Sequence, residues 1–248
     1  METVSRPDPE GIPLLPDPDL HEILRYMGYR GDAPGSELLA EIGECVRDLQ
    51  KAVTPRYVYE RFPLGRKDRN SEGEILCFAD LEVVSRDLSQ NLKDCREVCL
   101  MAVTLGTGPD LLVRRASVTR VSRALIYQAA AAAMTETWCG MINERIRKEA
   151  EIEGLYTRPR FSPGYGDLPL TLQRDISRIL NMPKEIGVSL TETLLMTPSK
   201  SVTALIGLSG TPKDCRTSHC EACPASADCP YRERTPQETY TSENAGDG

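Results

Sequence analysis

Four thiols near the end of the chain form its densest group of chemically useful side chains. Cys215, Cys220, Cys223 and Cys229 lie close together, broken by Pro224 and Pro230. Soft thiolates at such spacing suit tetrahedral zinc or an iron-sulfur cluster, and spacing alone does not choose between them. His219 adjoins the second thiol and could replace one of the four. The plainer alternative is a set of unligated or redox-active thiols, which would leave reactive sulfur exposed.

A second set is charged and aromatic. Arg160 is followed by Ser162, Gly164 and Tyr165 in a loop with proline, and Glu136 stands upstream among apolar neighbours. A guanidinium is a planar fork of donors that suits a carboxylate, glycine lets a backbone approach a ligand, and tyrosine offers an aromatic face with a hydroxyl. A carboxylate buried among apolar residues needs a partner. Taken singly, Arg160 also fits a surface ion pair and Glu136 a core network. Gly106 and Gly108 close the apolar run 99–105. They are simplest as a strand-ending turn, because a phosphate-binding loop needs downstream residues that are missing.

Arg160-x-x-x-Gly164-Tyr165 is followed by Leu190-Thr191-Glu192-Thr193, Met196-Thr197-Pro198 and Lys200-Ser201-Val202-Thr203. In this order the motifs resemble the activation domain at the end of cobalamin-dependent methionine synthases. There an Arg-x-x-x-Gly-Tyr loop precedes a helix, a Leu-Thr-Glu-Ser strand, a Met-x-Pro turn and a Ser-Val-Ser strand. Ala102-Val103-Thr104 and the helix end from Asn143 to Lys148 extend the likeness loosely, so that it covers about residues 75–207.

The resemblance implies an S-adenosylmethionine site made by Glu136, Arg160, Ser162, Gly164 and Tyr165, with Glu192, Met196 and Ser201 supporting its walls. It implies that the domain presents a methyl group to a cobalamin that has slipped to Co(II), while a flavodoxin-like donor supplies an electron. No side chain need act as a nucleophile. Nothing in the chain resembles the homocysteine, folate or cobalamin modules, so the cobalamin must come with partner modules of a methionine synthase. Two departures bear on adenine contacts: Gly166-Asp167-Leu168-Pro169 stands where the family has Pro-x-Cys-Pro, and Ile206 where it has an aromatic residue. At the four cysteines a cluster could deliver the electron, whereas zinc would be a structural clip. Rival readings are a non-catalytic S-adenosylmethionine sensor, a corrinoid-protein docking module, or an iron-sulfur electron-transfer adaptor with a vestigial cleft.

The elements that must position these residues follow from periodicity. Residues 36–52 place Leu38, Leu39, Ile42, Val46 and Leu49 on one helical face, and a shorter helix is expected over 20–29. Residues 56–84 suggest strands, 85–92 a short helix, and 99–105 a buried strand. A single long helix is expected over 117–153, thinned by five alanines at 129–133. Another helix is expected over 170–180, and two extended segments over 186–196 and 201–208.

With 248 residues, 40% hydrophobic and 27% charged, the chain has globular composition. Its net charge of -7 and lack of a dense basic run argue against nucleic acid as a partner. The first residues lack a secretory pattern and no run is apolar enough to span a membrane, so a cytoplasmic protein with free thiols at Cys45, Cys77, Cys95, Cys99 and Cys139 is expected. The expected fold is α+β: a twisted, mainly antiparallel sheet with a long packed helix, a helical N-terminal extension and a small C-terminal cysteine module. The expected divisions are a proline-rich lead-in (1–18), the extension (19–74), the ligand-binding domain (75–210), the metal module (211–234) and a disordered tail (235–248).

Overall fold

The computed structural model describes residues 4–5, 15–29, 33–69 and 73–212. Cys215, Cys220, Cys223, Cys229 and the polar tail lie outside the described residues, as does most of the lead-in.

A two-residue strand, β1 (Val4–Ser5), precedes two helices, α1 (Leu20–Tyr26) and α2 (Ser36–Ala52). Then come β2 (Arg56–Pro63), the small meander β3 (Gly65–Arg69), β4 (Gly73–Phe78) and β5 (Leu81–Val84), and the helix α3 (Arg86–Asn91). The long strand β6 (Cys95–Thr104) leads into α4 (Gly108–Thr119) and the 32-residue α5 (Val121–Ile152). After β7 (Tyr156–Thr157) follow α6 (Leu172–Ile179), α7 (Met182–Glu185), the paired β8 (Ser189–Leu190) and β9 (Met196–Thr197), and β10 (Ser201–Ser209). The main sheet has the order β1-β2-β6-β10-β7, and its pairs are antiparallel.

Period-two alternation gives this sheet two buried faces. Tyr57, Tyr59, Cys99, Met101, Val103, Ala204, Ile206 and Leu208 pack with α1, α2 and α5. Val58, Phe62, Val98, Leu100, Ala102 and Leu205 pack on the other side with the meander, α3, α6 and α7. That is why residues 99–105 read as an unbroken apolar run: the strand is covered on both faces. Ile206 faces the helices.

The turn after β6 packs closely. Gly106 has φ +78°, and a Cβ there would lie 2.1 Å from the Thr54 hydroxyl, while one on Gly108 would lie 2.0 Å from the Ala52 carbonyl. The glycines let α4 start against the end of α2, which accounts for them without a phosphate.

Two local expectations are corrected. The helix expected over 117–153 is two helices, broken at Arg120 (φ -159°, ψ 91°). Ser117 and Thr119 donate their hydroxyls back to carbonyls one turn earlier, a bond that bends helices. The extended segment expected over 186–196 pairs only at β8 and β9. Gly187 takes φ +72° and Leu194 φ +68°, and the Thr191 hydroxyl accepts from the Leu195 amide at 3.0 Å, so local bonds replace a ladder.

Among the described residues no helix is long and apolar enough to cross a membrane. Cys45, Cys95, Cys99 and Cys139 are buried free thiols, and Cys77 is half-buried. Burial pushes the Cys139 thiol up to about 12 and raises Cys99 as well. Of these five, Cys77 is expected to react first with a maleimide at neutral pH, as read by peptide mass spectrometry; faster labelling of Cys139 would contradict the packing of α5.

Candidate functional site

The site begins where β7 runs out. Arg158 donates its amide to the Gly207 carbonyl at 2.8 Å, and Phe161 exchanges both backbone bonds with Leu205 at 2.9 and 2.7 Å. Residues 158–161 thus continue as a broken edge strand beside β10. Phe161 packs with the second core cluster. Its neighbour Arg160 projects the other way, toward α5, and its Nη2 donates to Oε2 of Glu136 at 3.2 Å.

In the sequence Glu136 stands among apolar neighbours. In the fold its side chain is 51% exposed, and that of Arg160 is 31% exposed. The reason is helical phase: Met134, Thr135, Trp138, Cys139 and Ile142 turn inward, and Glu136 falls between them on the outer side. The partner that a carboxylate there requires is Arg160. The pair is therefore accessible to a ligand, with the buried Cys139 one turn further along α5.

Tyr26, at the end of α1, borders this pair and was not singled out from the sequence. Its hydroxyl is shifted upward, first by burial and then by the Glu136 carboxylate. The Arg25 guanidinium lies 4.6 Å from its ring centre. Only the packing of α1 on α5 reveals it.

The loop beyond Arg160 is fixed at both ends. Ser162 donates its hydroxyl to the Thr203 carbonyl at 2.8 Å. Gly164 takes φ +90°, and its amide donates to the Leu168 carbonyl at 2.9 Å. Tyr165 is 69% exposed at the tip.

Further on, Asp167 accepts from the Ser85 hydroxyl, the Arg86 amide at 2.7 Å and the Asp87 amide at 3.2 Å. Ser85 itself accepts from the Leu88 amide at 3.0 Å, so together they satisfy the first-turn donors of α3. Asp87 answers by accepting the Asp167 amide at 3.1 Å. A Cβ on Gly166 would lie 2.1 Å from an Asp87 carboxylate oxygen, so glycine there permits the clip.

The Ser85 hydroxyl and the helix amides hold the Asp167 carboxyl below the usual carboxylate range. A depressed folded pKa stabilises above the unfolded value of about 3.9 and is lost as pH falls through the folded value. Asp167→Ala is expected to cost about 0.5–2 kcal/mol at neutral pH, as lost helix caps do. In urea titrations the gap from the parent chain should close below pH ~4; a gap constant with pH would show that the carboxylate is not its source.

The remaining candidates lie between the end of β8 and the start of β10. Ser201 is buried; its hydroxyl donates to the Pro198 carbonyl at 2.7 Å and lies within hydrogen-bond distance of the Thr104 hydroxyl at 2.9 Å, tying the β9–β10 turn to β6. Asp110 accepts from the Ser199 amide at 2.8 Å and pins the same turn to α4. Met196 packs against the second core cluster. Glu192 is exposed, and neither its side chain nor that of Met196 is bonded to Arg160 or Glu136 among the described residues. Lys200, which opens the motif that contains Ser201, is buried beside this turn; its amine donates to the Gln128 carbonyl at 3.4 Å, and burial lowers its pKa.

Residues 61–216 match the family described as "Vitamin B12 dependent methionine synthase, activation domain". The chain belongs to this family. Among solved structures it is similar to the crystal structure of the MetH reactivation domain bound to AdoHcy, with a TM-score of 0.58 and 18% identity, over 86% of this chain and 80% of that one. At that identity the likeness speaks for the fold. No curated protein matches the sequence.

Within this activation domain, the matched span takes in the main sheet from β2's last residues onward, α5, the Arg160 loop and the clip on α3. It leaves out α1, so Tyr26 comes from a segment beyond the family match.

Proposed function

We propose that this activation domain binds S-adenosylmethionine between α5 and the 160–168 loop and presents its methyl group to a cobalamin carried by other methionine synthase modules. The observation that carries the reading is the accessible Glu136–Arg160 pair, 3.2 Å apart, across α5 and the loop. S-adenosylmethionine has a carboxylate, an ammonium and a sulfonium. Arg160 offers its remaining donors to the carboxylate, and Glu136 faces the positive groups. Gly164 keeps the loop free of a side chain at its sharpest bend, and Tyr165 at the exposed tip supplies an aromatic lid. Ser162 holds the loop on β10, while Glu192, Met196 and Ser201 shape the turns behind it.

The cobalamin supplies the methyl-accepting metal, and this chain's residues orient the donor and exclude water from it. The relative's AdoHcy complex supports the choice of ligand. Cys215, Cys220, Cys223 and Cys229 are proposed to hold an iron-sulfur cluster or zinc, on the chemistry of a four-thiol donor set. A cluster held by these thiols would supply one-electron chemistry, with a flavodoxin-like protein as the proposed donor, whereas zinc would clip the segment together. The cytoplasm is the proposed setting.

The test is calorimetry with S-adenosylmethionine on anaerobically purified protein, with the visible spectrum and metal content of the same sample. A methylation assay with cob(II)alamin-loaded partner modules and a reduced flavodoxin follows. Saturable binding plus methylation is the expected result. Binding without methylation would leave a sensor, and no binding would overturn the ligand site.

A further inference from the structure

A second cavity lies at the elbow between α4 and α5, away from the Glu136–Arg160 pair. It encloses about 390 Å³ and is lined by Asp48 and Lys51 of α2, Leu112, Arg115, Ala116 and Thr119 of α4, and Arg123 and Tyr127 of α5. Tyr127 and Glu136 are nine positions apart on α5, which separates them by about 13 Å along the axis and by half a turn around it. The two sites therefore open on different sides of the helix.

The charges in the cavity do not balance. Asp48 accepts from the Tyr127 hydroxyl at 2.7 Å and from Arg123 at 3.1 Å, and Arg123 also donates to Glu44 at 2.9 Å. That network holds Arg123 in place and uses up the one carboxylate of the lining. Lys51 and Arg115 make no ion pair among the described residues. α4 ends and α5 begins at this elbow, so the opposite poles of the two helices offset each other there, and Lys51 and Arg115 carry the excess charge. Leu112 and Ala116 give the cavity an apolar wall.

We propose that this cavity binds a phosphorylated small molecule, with its doubly charged phosphate group held by Arg115 and Lys51 and its organic part on Leu112 and Ala116. Arg115 supplies a two-pronged fork for phosphate oxygens, and Lys51 supplies a point charge from the end of α2. Arg123 is held by its acids and contributes field, and Thr119 lines the rim.

The experiment is a titration of the full chain with inorganic pyrophosphate at low ionic strength, followed by amide chemical shifts and by calorimetry. One saturable site is expected, with shifts at α4 and the start of α5. Arg115→Gln should weaken it about ten-fold or more, as expected for a lost charge-assisted contact. Lys51→Gln should act in the same direction. Arg115 is exposed, so its replacement should leave the fold and S-adenosylmethionine binding intact. Arg160→Ala should leave pyrophosphate binding unchanged. The proposal is overturned if pyrophosphate does not saturate, if Arg115→Gln binds as tightly as the parent, or if Arg160→Ala weakens pyrophosphate binding, which would move the anion to the other cleft.

Discussion

Trp138→Ala is expected to lower the unfolding free energy by about 3–5 kcal/mol, the range for removing a large buried aromatic side chain. The indole is fully buried. Its Nε1 donates to the Arg56 carbonyl at 3.1 Å, and its ring meets Tyr57 edge-on at 6.0 Å between centres. Tyr57 in turn stacks on Tyr59 at 5.9 Å. This side chain therefore joins the middle of α5 to the first long strand of the sheet.

The five alanines before it let the helix approach closely but bring little area of their own, so neighbouring residues cannot refill the space. Urea unfolding followed by far-ultraviolet circular dichroism reads the loss, since the variant has no tryptophan to report. A cost below ~1 kcal/mol would mean that the site had collapsed around the gap or that α5 is seated elsewhere. The consequence reaches the ligand site, because Glu136 lies half a turn away and its position depends on that seat.

The parts of this fold that could be read from sequence are those with a period. Leu38, Ile42, Val46 and Leu49 announced α2, and the apolar run ending at Leu105 announced a strand covered on both sides. The elbow at Arg120 was hidden because Val118 and Val121 keep an apolar rhythm across the break, although they are 86% and 73% exposed.

Long-range polar contacts leave no period at all. The Asp167–Ser85 clip spans 82 positions, and nothing in either segment alone points to the other. Its meaning emerges from the departure at Gly166-Asp167: where the Pro-x-Cys-Pro pattern opens on a proline, this chain has Gly166 and fastens the loop with the Asp167 carboxylate on a helix start. The Arg160–Glu136 pairing was accessible only through family resemblance, which set both residues at one site without predicting that they touch. Tyr26 escaped because it lies outside the family match and becomes relevant only when α1 packs on α5. Helical phase also explains why Glu136 looked buried: its neighbours are apolar in sequence, but they turn inward and it does not.

Arg160→Ala is expected to weaken S-adenosylmethionine binding by about 1.5–3 kcal/mol, the range for a hydrogen bond to a charged group. That corresponds to roughly 10- to 150-fold in Kd. The loss has two sources. The ligand's carboxylate loses its guanidinium partner, and Glu136 loses the cation that holds its side chain at the cleft. Stability should change little, because the pair is half-exposed and such pairs contribute about 0–1 kcal/mol. This split between binding and stability distinguishes a ligand contact from a structural one.

Arg160→Lys sharpens the test. A lysine keeps the charge and can still attract Glu136, but it lacks the fork that engages a carboxylate with two parallel bonds. If the guanidinium grips the ligand, lysine should recover only part of the affinity. If Arg160 acts only by placing Glu136, lysine should recover most of it, and Glu136→Gln should then reproduce the loss. Calorimetry on the three variants, with thermal melts on the same samples, separates these outcomes. Unchanged binding in Arg160→Ala would remove the pair from the site and leave the ligand to be sought elsewhere on the fold.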